Sequence, residues 1–132
     1  MTSTRVLLIV TALLETVTGV ALLTSPSVPA SLLVGASLDT PSVFAVARVT
    51  GAAMLSLGTA CWLARRDGES LAGRSMVTAM LVYNVAVVAV LVHASLALEV
   101  TAVLLWPAVG GHTALAAWCI ARLRPFRLSA RS

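Results

Sequence analysis

The chain has few charged side chains: 11% of its 132 residues are Asp, Glu, Lys or Arg, whereas 59% are hydrophobic. This composition supplies too little polar surface to cover a soluble globule of that size. Together with a mean hydropathy of +0.99, it predicts a membrane protein. There is also no room for a soluble catalytic domain, so we expect any function to reside in the membrane-embedded helices or at their surfaces.

Lysine is absent, and all nine basic residues are arginine. Arg5 precedes the first predicted helix, three arginines flank the second predicted loop and four follow the last predicted helix, whereas residues 24–41 and 94–99 contain none. By the positive-inside rule, this pattern places both termini and the middle loop in the cytoplasm. We therefore interpret the net charge of +4 as a topology signal. An RNA-binding tail is the weaker alternative, and no nucleic-acid partner is predicted.

Cysteine and histidine occur only twice each, and their spacing does not resemble a zinc site. Cys61 and Cys119 fall near predicted cytoplasmic helix ends, where a reducing environment disfavours a disulfide. His93 and His112 lie at different predicted depths, which disfavours a haem held between them. Phosphate-binding loops, nucleophile elbows and dinucleotide-binding glycine motifs are also missing. The sequence thus predicts no metal site, supports no enzyme activity and leaves any cofactor unknown.

Four apolar stretches are long enough to be transmembrane helices, each of which needs about 20 residues. They cover roughly residues 6–23, 42–64, 75–93 and 100–121. We therefore expect residues 1–132 to form a single all-α domain, an integral membrane four-helix bundle with both termini in the cytoplasm.

The connections between these stretches carry their own signals. The segment "SLLVGASL" predicts a short interfacial helix that ends near Gly35, in the first outer loop. Thr40 and Pro41 predict the start of span two, because they are favoured at the N-cap and the first helical position. Spans three and four lack a separating glycine or proline, but one continuous helix would be too long for a single crossing. A turn is therefore predicted near residues 95–99, and Pro107 is expected to bend span four.

The N-terminal stretch has a second interpretation as a cleaved secretory signal. Arg5, the apolar run and "SVPA" resemble the charged, hydrophobic and cleavage regions of such a signal. The apolar run is about 18 residues long, which exceeds the usual length of about 7 to 15, and Glu15 interrupts it. We therefore expect the first span to be retained.

Polar residues inside the spans are expensive to bury and are the candidate functional residues. Five of them are predicted near the middle of the membrane: Glu15, Arg48, Tyr83, Asn84 and His112. We expect Arg48 to be the counter-ion of Glu15, with the others as hydrogen-bond partners. The cluster either fixes the register of the helices or forms a ligand-binding or proton-handling site, and the sequence leaves both interpretations open.

Small residues recur at helical spacing in spans two and four. Such residues let helix backbones approach closely in a membrane. The ones predicted to pack helices are Gly51, Gly58, Gly110, Ala114 and Ala117. The same faces suit association with a second copy of the chain.

The second span, "ARVTGAAMLSLGTACWLARR", follows an apolar span and a proline-containing loop, and this layout resembles small four-span bacterial membrane proteins of the DoxX-like kind. Arg48, Gly51 and Gly58 match the basic residue and glycines that open the second helix in that family. The resemblance covers mainly residues 6–66. It implies a compact bundle in the bacterial inner (plasma) membrane and transfers no catalytic residue.

From this resemblance we predict a non-enzymatic accessory or structural subunit, in contact with the lipid bilayer and associated with itself or with a larger membrane protein. The alternative starts from Glu15, since a central acid in span one resembles small multidrug-resistance transporters. That resemblance implies a proton-coupled transporter or a ligand-binding membrane protein. It is limited, because spans one and three supply only Tyr83 as an aromatic residue and the charge bias is stronger than in those transporters.

Overall fold

A computed structural model describes residues 3–35 and 38–124, which form five α-helices and no strand. In chain order the helices are α1 (Ser3–Thr24), α2 (Ser27–Val34), α3 (Pro41–Ala64), α4 (Leu71–Ala97) and α5 (Leu105–Leu123). The all-α prediction is therefore confirmed for this part of the chain.

Helices α1 and α3 form a closely packed antiparallel pair through glycines. A Cβ atom added to Gly19 would lie 2.8 Å from the carbonyl oxygen of Gly51, and one added to Gly58 would lie 3.0 Å from the carbonyl oxygen of Ala12. Only glycine permits so close an approach of two backbones. Gly51 and Gly58 are both buried, as the packing prediction requires.

Helices α4 and α5 form the second antiparallel pair. Near one end, a guanidinium nitrogen of Arg74 donates to the carbonyl oxygen of Leu123, at 3.3 Å. Near the middle, the side chains of Asn84 and His112 are hydrogen-bonded. The two contacts are ten residues apart on α4 and eleven on α5, so the helices stay in register along their length. The two pairs share an apolar core that includes Leu7, Leu8, Cys61, Met80 and Cys119.

The turn between α4 and α5 forms without glycine or proline. Glu99 adopts a left-handed conformation with φ of 53°, and the carbonyl oxygen of Ala94 accepts from the backbone N–H groups of Leu98 and Val100. Helix α4 continues to Ala97, beyond the predicted end at residue 93, and begins at Leu71 because Ser70 caps it. The predicted turn lies several residues too early.

Helix α5 also begins later than predicted, at Leu105 rather than near residue 100. Residues 98–104 form the connection instead. Pro107 therefore lies in the first turn of α5, where a missing N–H removes no helical hydrogen bond. Nothing at this position forces the bend that the sequence suggested.

The short helix α2 confirms the helix predicted in the first loop. It ends at Gly35, whose φ of 64° is readily adopted by glycine. A backbone hydrogen bond of 2.9 Å from Leu104 to the carbonyl oxygen of Leu32 joins α2 to the start of α5. The start of α3 is also as predicted: Pro41 is the first helical residue, and the Thr40 side chain accepts from the backbone N–H of Val43.

The opposite end of the molecule carries most of the arginines and a polar network. Arg122 donates to the Thr4 hydroxyl at 3.0 Å and lies 3.7 Å from Glu69, which accepts from Thr4. These contacts connect the start of α1, the α3–α4 loop and the end of α5. At the same end, desolvation and repulsion from Arg66 and Arg5 lower the pKa of the Arg65 guanidinium.

Three helices are long and apolar enough to cross a membrane: α1, α3 and α4. Helix α5 does not reach the same hydropathy, since its 19 residues include a proline, two glycines and a histidine. Large apolar side chains are exposed along all three candidate spans, for example Val17, Val49 and Val82. Apolar surface of this extent indicates contact with lipid. The structure therefore indicates a multi-pass membrane protein, with three spanning helices where the sequence predicted four.

Candidate functional site

A cavity of about 620 Å³ lies between the two helix pairs. Its volume falls within the range of small-molecule binding sites. Most of its wall is apolar and comes from α1, α3, α4 and α5, with Leu33 of α2 at one side. Its polar and aromatic wall residues are Glu15, Thr18, Thr50, Tyr83, His112 and Trp118.

Glu15 is the only acidic residue in the wall of this cavity. Its side chain is 2% exposed, and its Oε2 atom has no hydrogen-bond partner. A buried carboxyl oxygen without a partner in the protein is costly, because its desolvation is not compensated by a hydrogen bond. Glu15 thus combines burial, an unsatisfied acceptor and a place in the wall of a cavity.

Tyr83 brings a phenol from α4 to the carboxyl of Glu15. Both side chains line the cavity, and the Tyr83 hydroxyl lies within interaction range of the Glu15 carboxyl, to which it can donate. The Tyr83 ring also meets the His112 ring edge to face, with centroids 5.9 Å apart and planes at 75°. Tyr83 therefore links the acid of α1 to the imidazole of α5.

His112 is held by Asn84, which is fully buried. The Asn84 Nδ2 donates to the carbonyl oxygen of Met80 at 2.7 Å, so its Oδ1 faces the His112 Nδ1, also at 2.7 Å. An amide oxygen only accepts, and the His112 Nδ1 must therefore carry the proton. The neutral ring then has an unprotonated Nε2, an acceptor that makes no hydrogen bond within the described residues.

Arg48 does not join this group. It is exposed on α3 and is absent from the cavity wall. Because α3 is antiparallel to α1 and Gly51 packs against Gly19, Arg48 lies level with the C-terminal end of α1. Glu15 lies about two helical turns away along the axis. The predicted Glu15–Arg48 counter-ion pair is not formed in the structure, because the register in which α1 and α3 pair separates the two residues along the helix axis.

The small residues of α5 are also placed differently from the expectation. Gly110, Ala114 and Ala117 are exposed, and a Cβ atom at Gly110 would meet nothing within 4 Å. They do not form the expected ridge against another helix of this chain. Ala114 instead lines the central cavity. Self-association through this face stays a prediction.

Two wall residues escaped the sequence reasoning, Thr50 and Trp118. Both are too common in membrane helices to stand out as polar or aromatic signals, and Trp118 is as readily explained by an interfacial aromatic belt. Thr50 and Tyr83 also line a second cavity, of about 710 Å³, between α3 and α4. The two cavities therefore adjoin at Tyr83.

No group of three or more His, Cys, Asp or Glu side chains in the described residues has the arrangement of a metal site. Comparisons of the chain with protein-family models, with curated proteins and with solved structures find no match.

Proposed function

We propose that this chain is a multi-pass membrane protein that binds a lipid-soluble small molecule in the central cavity. One observation carries the proposal: a cavity of ligand size has a mostly apolar wall that also contains Glu15, Tyr83 and His112. Small-molecule sites typically combine an apolar wall with a few convergent polar groups. A cluster that served only to fix helix register would need no such space.

The binding interpretation also explains why the second cavity adjoins the first. Helices α3 and α4 are loosely packed against each other, and the cleft between them is lined by Ala53, Ser56, Leu57 and Ala60. Ala53 and Ser56 are exposed on this face of α3. We propose that a molecule dissolved in the lipid reaches Tyr83 through this cleft.

The membrane arrangement belongs to the same proposal. Helix α5 runs beside α4 in register, and 19 residues span about 28 Å at 1.5 Å per residue. We therefore propose that α5 crosses the membrane as a fourth span, in a bacterial inner membrane with both termini in the cytoplasm. An accessory role, with a larger membrane protein or a second copy as partner, is compatible with this arrangement, as is the DoxX-like resemblance.

The test uses Trp118, because it lies in the cavity wall. In a Trp62→Phe, Trp106→Phe background it is the only tryptophan, and bromine quenches indole fluorescence on contact. We expect 4-(4-bromophenyl)butanol to quench Trp118 saturably in lipid nanodiscs. Gly111→Leu should abolish the saturable part, because Gly111 lines the cavity and a side chain there would fill it.

The matched control is Gly110→Leu, at the neighbouring position outside the cavity wall. A Cβ atom meets nothing within 4 Å at either glycine, so both variants should fold. If quenching only rises linearly with probe, or if both variants quench like the parent, the bromine is contacting Trp118 from the lipid and the proposal fails.

A further inference from the structure

The donors in the wall of the central cavity are mostly used within the protein. Three of them have protein acceptors: the Thr50 hydroxyl bonds the carbonyl oxygen of Val46, the His112 Nδ1 bonds Asn84, and the Trp118 indole N–H bonds Ser3. A fourth, the Tyr83 hydroxyl, lies within interaction range of the Glu15 carboxyl. Thr18 adds one hydroxyl, which can both donate and accept. The polar wall residues therefore present more acceptors than donors.

Two of these acceptors are the Glu15 carboxyl and the His112 Nε2. The Glu15 Oε2 lacks a partner, and rotation about the last bond of the side chain exchanges its two oxygens. A bound molecule that satisfies both acceptors has to bring at least two hydrogen-bond donors. A ketone, an ether or a plain hydrocarbon brings none.

Charge narrows the ligand class further. Among the described residues, no arginine or lysine lies in the cavity wall, and Arg48 is exposed on α3. A buried carboxylate is stabilised by a positive partner, and the described part of the chain supplies none at the cavity. The aromatic faces of Tyr83 and Trp118 also attract cations.

We infer that the central cavity takes lipophilic amines, which bind as ammonium ions with their N–H groups on Glu15 and His112 and their apolar body among the aliphatic wall residues. This inference rests on the proposed binding function and names its ligand class. Tight binding then requires a ligand that has both the positive charge and the N–H donors.

Three probes with the same bromophenylbutyl body separate these features in the Trp118 quenching assay. 4-(4-Bromophenyl)butylamine carries charge and N–H donors, its trimethylammonium analogue carries charge alone, and the alcohol carries one donor and no charge. We expect the amine to bind at least about tenfold more tightly than either analogue, as hydrogen bonds to a charged group imply. Glu15→Gln should remove that preference, whereas Glu99→Gln, an exposed change in the α4–α5 loop, should keep it.

The outcomes distinguish this inference from the binding function itself. Saturable quenching by the alcohol and the amine with equal affinity would keep the cavity as a binding site and overturn the amine preference. An equally tight trimethylammonium probe would overturn the requirement for N–H donors, and a preference retained in Glu15→Gln would overturn the role of Glu15. If none of the three probes quenches saturably in the parent protein, the binding function fails and the inference with it.

Discussion

At the residue scale, Asn84 determines what His112 can do. Its amide is fixed by the carbonyl oxygen of Met80, and so it offers only an oxygen to the imidazole. The tautomer with a protonated Nδ1 follows from these two bonds, and it leaves Nε2 as an acceptor for a ligand. Asn84 is therefore a positioning residue, which acts on the cavity through His112.

This assignment predicts a spectroscopic signature. In protein labelled with ¹⁵N-histidine, we expect His112 to show a protonated Nδ1 and an unprotonated Nε2 while the ring is neutral. Asn84→Ala removes the acceptor, so the protonated Nδ1 population should fall. The same variant should lose about 1 to 3 kcal/mol of unfolding free energy, because a buried donor loses its partner.

The exposed His93 supplies the control for this experiment. Its signals can be identified with His93→Gln, and they should not change in Asn84→Ala. If the His112 tautomer were the same with and without the Asn84 side chain, the positioning role would be wrong even if stability fell.

Most of the polar residues at the central cavity could be predicted from the sequence. Residues at the middle of apolar stretches are expected to lie at a similar depth in the membrane. This expectation grouped Glu15, Tyr83, Asn84 and His112, which the structure also brings together. It failed for Arg48 because the midpoints of apolar stretches do not give the register in which α1 and α3 pair. That register is set by contacts such as that of Gly51 with Gly19, which appear only once the partner helix is known.

At the element scale, the contact between α1 and α3 holds one side of the cavity wall in place. Gly58 fits against the backbone of α1, where an added Cβ atom would lie 2.6 Å from the Thr16 Oγ1 and 3.1 Å from the Thr16 backbone nitrogen. Backbone atoms cannot move aside as a flexible side chain can. The spacing of α1 and α3 therefore depends on the absence of a side chain at this position.

We expect Gly58→Ala to lower the unfolding free energy, measured by SDS titration, by about 1 to 3 kcal/mol. The sign of this change separates a packing clash from helix propensity. At an exposed helix position, replacing glycine by alanine stabilises the helix by about 0.5 to 1 kcal/mol. Gly110→Ala is the matched control and should be neutral or stabilising, because its Cβ atom meets nothing within 4 Å. Equal effects of the two substitutions would show that α1 and α3 are not in close contact.

Helix boundaries were predictable where local capping chemistry fixes them. Thr40 with Pro41 and Gly35 are such signals, and both helix ends lie where predicted. The α4–α5 turn was misplaced because it has no glycine or proline. It depends on Glu99 adopting a left-handed conformation, which a sequence pattern does not signal.

At the scale of the whole molecule, the two ends differ in charge. Six of the seven described arginines lie at the end where α1 begins and α5 ends, and Arg48 is the exception. Arg122 contacts Thr4 and the α3–α4 loop there. The opposite end carries α2, the α4–α5 turn and the acidic residues Asp39 and Glu99. A bundle with this asymmetry is expected to insert in a single orientation, with the arginine-rich end in the cytoplasm.

Cysteine labelling in intact cells tests this orientation, and with it the crossing of α4. Glu99 and Asp67 are exposed acidic residues at opposite ends of α4, and the native cysteines are both buried. We expect a membrane-impermeant maleimide to label Glu99→Cys in intact cells and Asp67→Cys only after permeabilisation, with the parent protein unlabelled. The reverse pattern would invert the topology. Labelling of both positions from one side would mean that α4 does not cross the membrane, and the cavity would then lie outside the lipid that is proposed to supply its ligand.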